Sequence, residues 1–168
     1  MANLPPSHYP DIGHLGEDLV AQWLQSTGWI ILHRRFSSRW GEIDIIAEYA
    51  REAEGTAGEL RTQHSILIFV EVKTRSSGSW DAGGRSAITL QKQAKICQTA
   101  EIFLAQHPDK VDYSCRFDVA IVYCQKIPKN LIGVTANQEA LATSSVDGYK
   151  FKLQEYIPAA FDSLIDNG

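Results

Sequence analysis

The sequence predicts an α/β fold in which helices cover a central β-sheet. Two apolar, strand-like runs lie close together in the chain, GEIDIIAEY at 41–49 and ILIFVEVKTR at 66–75. Both faces of the second run are apolar as far as Val70, which is typical of a central strand covered on both sides. Segments 11–26 and 86–106 have apolar residues at helical spacing instead, so they supply the helices.

The composition indicates one globular domain over residues 1–168, because 168 residues with 44% hydrophobic content can bury a sizeable core. The three cysteines lack zinc-site spacing, and the first residues lack the basic and apolar regions of a signal peptide. No run approaches the roughly 18 apolar residues of a membrane span. We therefore expect a cytoplasmic protein with no membrane partner.

The net charge of −4 and the pI near 5.7 argue against a protein that coats nucleic acid by bulk electrostatics. Any nucleic-acid contact must therefore be local. The middle of the chain carries a set of basic residues suited to such a contact: Arg34, Arg35, Arg39, Lys73, Arg75, Arg85, Lys92 and Lys95.

The first predicted helix spans residues 11–26, after an irregular, proline-containing arm over residues 1–10. Glu17 lies at the rim of its apolar arc, where it can reach towards the sheet, or where it can simply favour the helix dipole as an acid near the first turn. The arc itself contains Ile12, Leu15, Leu19, Val20, Trp23 and Leu24.

Gly28 ends this helix, 29–32 begins the first strand, and a basic turn over 33–39 leads into the next strand. Arg34 and Arg35 either clamp phosphates or form a solvated turn. Trp40 either stacks on a base or, as a tryptophan beside a strand more often does, fills the core.

The connections after the two apolar runs differ in character. Residues 51–65 predict a long loop between the two strands, and 76–84 predict either a lid over a site or a plain connector. The next helix begins near Ser86 and ends near residue 106. Lys92 borders its apolar arc and Lys95 lies further out. We expect the arc to contain Leu90, Ile96, Cys97, Ala100, Phe103 and Leu104.

The last third of the chain predicts a buried strand over 115–123, in which Asp118 has a structural role and pairs with Arg116. Residues 125–147 are polar and turn-rich. Residues 149–154 then alternate as expected for an edge strand protected by lysines, and Pro158 is suited to start a short helix.

Three charged residues in the two apolar runs carry the functional signal. Strand alternation places Glu71 and Lys73 on one face, and we expect Asp44 on the face opposite Ile43 and Ile45. Two such carboxylates supply oxygen ligands for Mg²⁺ or Mn²⁺, with a backbone carbonyl such as that of Val72 and waters completing the shell. A nearby ammonium can orient water and offset charge on a phosphorane. An exposed Glu71–Lys73 ion pair with Asp44 in an ordinary turn explains the spacing equally well.

GEIDII followed by FVEVKTR resembles the YraN-like family of small bacterial proteins and, more broadly, the PD-(D/E)XK (restriction-endonuclease-like) nucleases. The likeness extends to Gly16-Glu17, to the RFDV run at 116–119 and to Ala160-Phe161. It implies a restriction-endonuclease-like sandwich with a mixed central sheet. Ile43 stands where the pattern often has proline, and 51–65 and 125–147 read as loop insertions.

The resemblance also implies roles for individual residues. Asp44, Glu71 and Lys73 match the acid and lysine positions of the motif, Glu17 matches an acid on the first helix, and Lys92 matches a lysine on the later helix. These matches imply a metal-dependent endonuclease or exonuclease that acts on DNA, including branched or processed intermediates, or on RNA.

Two other readings stay open at this stage. The chain is alternatively a catalytically silent nucleic-acid-binding or protein-interaction module with the same fold, which the acidic pI favours slightly. A structural ion-pair cluster in an unrelated α/β protein is the third. The sequence does not fix the oligomeric state, and a homodimer is compatible with it.

Overall fold

The computed structural model describes residues 11–51, 64–76, 88–128 and 140–162. Within these ranges two helices accompany one six-stranded sheet. The helices are α1 (Ile12–Ser26) and α2 (Leu90–Gln106), with a 3-10 turn at Pro108–Lys110. The strands are β1 (Ile30–Ser38), β2 (Gly41–Arg51), β3 (His64–Ser76), β4 (Ser114–Lys126), β5 (Ala142–Val146) and β6 (Tyr149–Phe161).

The sheet has the order β1-β2-β3-β4-β6-β5 and is mixed. β3 and β4 pair in parallel, and the other neighbouring strands are antiparallel. The crossover between the parallel strands contains α2, as such a connection requires. β3 lies inside the sheet with both faces covered, which confirms the prediction of a central strand.

Each face of the sheet has its own apolar cluster. α1 packs on one face through Leu19, Val20 and Leu24, against Ile68 and Val70 of β3. α2 packs on the other face, where its buried residues meet side chains of β1 to β4: Ile96, Cys97, Ala100 and Phe103 against Phe36, Ile43, Ile46, Leu67, Phe69 and Phe117. The predicted apolar arc of α1 is therefore confirmed. No helix among these residues is long and apolar enough to cross a bilayer.

The first hairpin differs from the prediction. The basic residues at 33–35 do not form a turn, because β1 continues through them to Ser38 and the tight turn follows at Arg39 and Trp40. Arg35 has a φ of 52°, a left-handed conformation, so it twists the strand locally. The predicted alternation of side chains between the two sheet faces also fails in β2. Ile43 belongs to the cluster under α2 and Ile45 to the cluster under α1, so these two side chains do not share a face.

The C-terminal strands also correct the sequence reading. β6 lies between β4 and β5 rather than at an edge, and β5 is a strand inside the stretch predicted to be a turn-rich insertion. Pro158 does not start a helix. It lies in β6 where the β4–β6 register shifts, a position that tolerates the missing N–H.

Helix α2 begins after Thr89, whose hydroxyl accepts the N–H of Lys92 at 3.1 Å. The predicted cap, Ser86, lies outside the described residues, as do 52–63 and 77–84 of the two predicted loops. Leu90 is 71% exposed instead of buried, since the first turn of α2 precedes the part that packs on the sheet.

Gly16 allows α1 to approach β3 closely. A Cβ on Gly16 would overlap the Oγ1 atom of Thr74 on β3. The Thr74 hydroxyl is buried and has no hydrogen-bond partner among the described residues. This contact sets the separation between α1, which carries Glu17, and β3, which carries Glu71.

We predict that Gly16→Ala lowers the free energy of unfolding by about 1–3 kcal/mol, because the added methyl group overpacks the α1–β3 contact. Urea unfolding measures this. Gly13→Ala is the matched control, since its Cβ meets only Asp11 Oδ1 at 3.4 Å, and it should be neutral or stabilising by about 0.5–1 kcal/mol. Thr74→Ala should restore most of the loss in a double variant. Equal stability of the Gly16 and Gly13 variants would contradict the close contact.

Candidate functional site

The candidate site lies where the β2–β3 ladder opens. Regular pairing of these strands ends at Ile45 and Val70, so Asp44 and Glu71 are the next residues along each strand. Beyond this point a side chain replaces the backbone acceptor of the ladder, because Asp44 Oδ2 accepts a hydrogen bond from the Val72 backbone N–H at 2.7 Å. The two carboxylates therefore lie at the point where β2 separates from β3.

Glu71 is buried, with 5% of its surface exposed, yet it is ionically compensated. The ammonium of Lys73 lies 3.2 Å from its Oε1, and that of Lys92 lies 3.6 Å from the same oxygen. The shared face of Glu71 and Lys73, predicted from strand alternation, is therefore confirmed. Lys92 approaches from α2, which brings a second positive charge to the site.

Glu17 is buried at the start of α1, with 8% of its surface exposed. Arg35 donates from Nε to Glu17 Oε2 at 2.9 Å, and Arg34 Nη2 lies 3.7 Å from the same oxygen. Arg34 also donates to Asp18 at 2.9 Å. The β1–β2 register places Arg35 opposite Asp44, so its left-handed backbone occurs beside the acid cluster.

Burial and neighbouring charge raise the pKa of Asp44 from its ordinary value of 3.8 to about 8. Loss of hydration is the largest cause, followed by the negative charge of Glu71. The charge of Glu17 and a hydrogen bond between the Asp44 and Glu71 carboxyls act in the same direction, while the Val72 N–H opposes them. Asp44 therefore holds a proton near neutral pH when no cation is present.

Asp44 and Glu71 form a pair of carboxylates with Glu17 nearby, and the three do not surround a common point as a complete set of metal ligands would. In the parts of the chain that the structure describes, no three His, Cys, Asp or Glu side chains are arranged to hold one metal ion. Asp44 and Glu71 meet at the strand opening, and Glu17 influences Asp44 electrostatically from α1 while it is bonded to Arg35.

The remaining predicted basic residues are distributed around this pair. Arg75 follows Lys73 on the same face of β3 and is partly buried, whereas Arg39 and Lys95 are exposed, on the β1–β2 turn and on α2. Arg85 lies outside the described residues.

The sequence reasoning missed the partners of the acids on α1. Asp18 is half-buried and paired with Arg34. The signal was available in principle, because a buried acid such as Glu17 needs a cation and two adjacent arginines follow the helix closely.

Asp118 belongs to a separate, structural network. It is fully buried and accepts two hydrogen bonds from Arg116, at 2.8 and 2.9 Å. Tyr156 Oη donates at 2.6 Å and the Ala159 N–H at 2.9 Å. Burial and the Asp118 charge raise the pKa of Tyr156, so the phenol stays protonated and keeps donating. This confirms the predicted pairing with Arg116.

Comparison with known proteins identifies the family. Residues 16–122, which include Glu17, Asp44, Glu71 and Lys73, match the family model described as Uncharacterised protein family UPF0102. The chain belongs to this family. The match confirms, at this level, the YraN-like resemblance seen in the sequence.

Several cyanobacterial UPF0102 proteins are similar over nearly their whole length. The relative from Trichormus variabilis is 63% identical over 156 residues, which are 93% of this chain and 97% of that protein. A relative from Nostoc sp. is 61% identical over 92% of this chain and 96% of its own length. One from Trichodesmium erythraeum is 46% identical over 93% and 91%.

We predict that Asp44 lowers the stability of the metal-free protein as the pH rises from about 4 to about 8. The folded state binds the Asp44 proton more tightly than the unfolded chain does, so raising the pH favours unfolding across that window. The Asp44→Asn variant has an amide at this position, which does not gain or lose a proton in this pH range. Its free energy of unfolding, relative to the wild type, should therefore increase from acidic to mildly alkaline pH and then level off.

Urea unfolding with a chelator present, at several pH values from about 5 to about 9, measures this difference. Asp112→Asn is the matched control, because it makes the same substitution at an exposed position. A difference between Asp44→Asn and the wild type that stays constant from about pH 5 to about pH 9 would show that the Asp44 carboxyl is not perturbed.

Proposed function

We propose that this UPF0102 protein is a metal-dependent nuclease of the PD-(D/E)XK superfamily that hydrolyses phosphodiester bonds in DNA or RNA. The observation that carries the proposal is the meeting of Asp44 and Glu71 at the β2–β3 opening, with the Lys73 ammonium 3.2 Å from Glu71. The mixed sheet between two helices supports a restriction-endonuclease-like fold.

The donor atoms at the opening fit Mg²⁺ or Mn²⁺. Asp44 and Glu71 supply hard carboxylate oxygens, the Val72 carbonyl is the proposed backbone ligand, and Glu17 is the proposed assisting acid. A site with two carboxylates and few other protein ligands suits Mg²⁺, which keeps several waters. A bound divalent ion would supply Lewis-acid polarisation of the phosphate and a more acidic water.

The protein's own groups have distinct tasks in this proposal. Asp44 must release its proton before it can act as a ligand, and the Val72 N–H holds its carboxylate in orientation. Lys73 orients the attacking water and offsets the charge that develops on the phosphorane. Lys92, 3.6 Å from Glu71, contacts the phosphate or offsets the negative charge of the site.

We propose that the nucleic-acid surface lies along α2 and the β1–β2 turn. Arg39, Lys92 and Lys95 are its described cations, with Arg75 four residues beyond Glu71 on β3. A phosphate at Arg34 or Arg35 would have to compete with Asp18 and Glu17 for the guanidinium groups. This local patch accommodates a polyanion on a chain whose net charge is −4.

A second candidate function rests on a specific observation. Lys73 and Lys92 both approach one oxygen of Glu71, and Arg35 binds Glu17, so most of the acid charge is already neutralised within the protein. A catalytically silent nucleic-acid-binding or protein-interaction module would have this arrangement without needing a metal. Cleavage assays separate the two.

We predict that Lys73→Ala cleaves at least about 10²-fold more slowly than the wild type while it binds nucleic acid with similar affinity. Its ammonium acts on charge present mainly in the transition state, so its loss reduces the rate much more than ground-state binding. The measurement is cleavage of linear, flap and branched DNA and of RNA, with Mg²⁺, Mn²⁺ or chelator.

Two comparisons make the assay decisive. Lys126→Ala removes an exposed lysine at the far end of β4 and should cleave like the wild type, whereas Asp44→Ala should lose most of the rate. Wild-type protein that cuts nothing in the panel supports the silent module. A Lys73→Ala protein that cuts at the wild-type rate would assign the activity to another site or to a contaminant.

A further inference from the structure

The β1–β2 turn presents an aromatic ring and a cation to solvent. Trp40 is 39% exposed, and the guanidinium carbon of Arg39 lies 4.8 Å from the centre of its ring. The sequence favoured a core position for this tryptophan, and the structure contradicts that. Trp40 therefore belongs to neither apolar cluster of the sheet, and its ring is accessible to a binding partner.

Hydrogen bonds hold this turn against α2. The backbone N–H of Trp40 donates to Ser38 Oγ at 3.1 Å. Ser38 Oγ in turn shares a hydrogen bond of 2.8 Å with Thr99 Oγ1. Thr99 is fully buried in α2 and donates to the carbonyl of Lys95 at 2.9 Å. The turn is therefore fixed by polar contacts that do not require the indole ring to be buried.

The same helix connects the turn to the acid pair. Lys92 contacts Glu71, and Thr99, which contacts the turn, lies seven residues later on α2. Seven residues are two helical turns, or about 10 Å along the axis, so the two contacts fall on one side of the helix. Exposed Lys95 lies between them. A strand of nucleic acid on this path would meet the acids, then two lysines, then Arg39 and Trp40.

We propose that Trp40 is a stacking platform for an unpaired base, and hence that the substrates contain single-stranded segments near the cut. This inference rests on the proposed nuclease function and specifies its substrate class. Bases inside a duplex are covered on both faces, whereas an unpaired base can stack on an aromatic side chain whatever its identity. The separation of about 10 Å along α2 places this base within a few nucleotides of the cleaved phosphate.

Arg39 supplies the second part of the platform. Its guanidinium covers part of the ring and lies at the exposed turn, where it can contact the phosphate of the stacked nucleotide. The two side chains should therefore differ in their salt dependence. Stacking on Trp40 releases no counterions, while a phosphate contact by Arg39 does.

The test is fluorescence anisotropy with chelator present, using one oligonucleotide sequence as a blunt duplex, a flap duplex and a single strand, in DNA and in RNA. Trp40→Ala should bind the flap and single-stranded forms roughly 10-fold or more weakly, with blunt-duplex affinity unchanged. Trp40→Phe should retain most of the affinity. Val111→Ala, a matched loss of an exposed apolar side chain, should bind like the wild type.

Salt titration supplies a second readout. Arg39→Gln should reduce the slope of log affinity against log salt for single strands by about 0.7, whereas Trp40→Ala should leave the slope unchanged. 2-Aminopurine at successive unpaired positions should respond to binding most strongly at one position, within a few nucleotides of the cut, and lose that response in Trp40→Ala.

Each outcome decides the proposal. Equal affinity of wild type and Trp40→Ala for flap DNA and RNA would overturn the stacking platform and leave the nuclease function to the Lys73→Ala assay. An equal loss on blunt duplex would overturn it as well, since a duplex offers no unpaired base. Wild-type protein that binds none of these nucleic acids would overturn both the nuclease function and the stacking platform. A loss of affinity in Trp40→Ala that is limited to DNA or to RNA would support the stacking platform for that polymer alone.

Discussion

The constraint on which the site depends is the dehydration of two carboxylates at the point where β2 and β3 separate. Asp44 and Glu71 extend a ladder that is apolar on both faces, and charge in such surroundings is strongly unfavourable unless it is compensated. Protonation relieves the problem at Asp44 and two lysines relieve it at Glu71. A divalent cation would relieve it for both residues at once, and this is the physical basis of the metal site proposed above.

The rest of the structure supplies what this pair needs. Gly16 brings α1 close to β3, so that Glu17 adds its charge to the cluster, and Arg35 holds Glu17 from a left-handed position in β1. The parallel β3–β4 crossover carries α2 back over the sheet and delivers Lys92 to Glu71. The Asp118 network joins β4 to β6 at the level of Val70, and none of its hydrogen bonds goes to Asp44 or Glu71.

Regular periodicity made much of this predictable. The arc of α1, the central position of β3 and the common face of Glu71 and Lys73 all follow from regular spacing, and all are confirmed. The failures occur where tertiary contacts override local pattern. Arg35 twists β1, so the expected basic turn is a strand, and Pro158 is tolerated at a register shift instead of starting a helix. Strand order is not encoded by alternation, so β6 was wrongly assigned to an edge. The arginine partners of Glu17 and Asp18 depend on that same twist. The need of a buried acid for a cation points to the two adjacent arginines, but spacing alone does not assign each arginine to its acid.

Anomalous diffraction from crystals containing Mn²⁺ tests the central claim most directly, because it locates the ion without requiring turnover. We expect one strong peak at the β2–β3 opening, bonded to an oxygen of Asp44 and an oxygen of Glu71, with waters completing its shell. The same peak should be absent in Asp44→Ala crystals. Wild-type crystals with no peak at the opening, in which both lysines stay on Glu71, would contradict the proposed metal site.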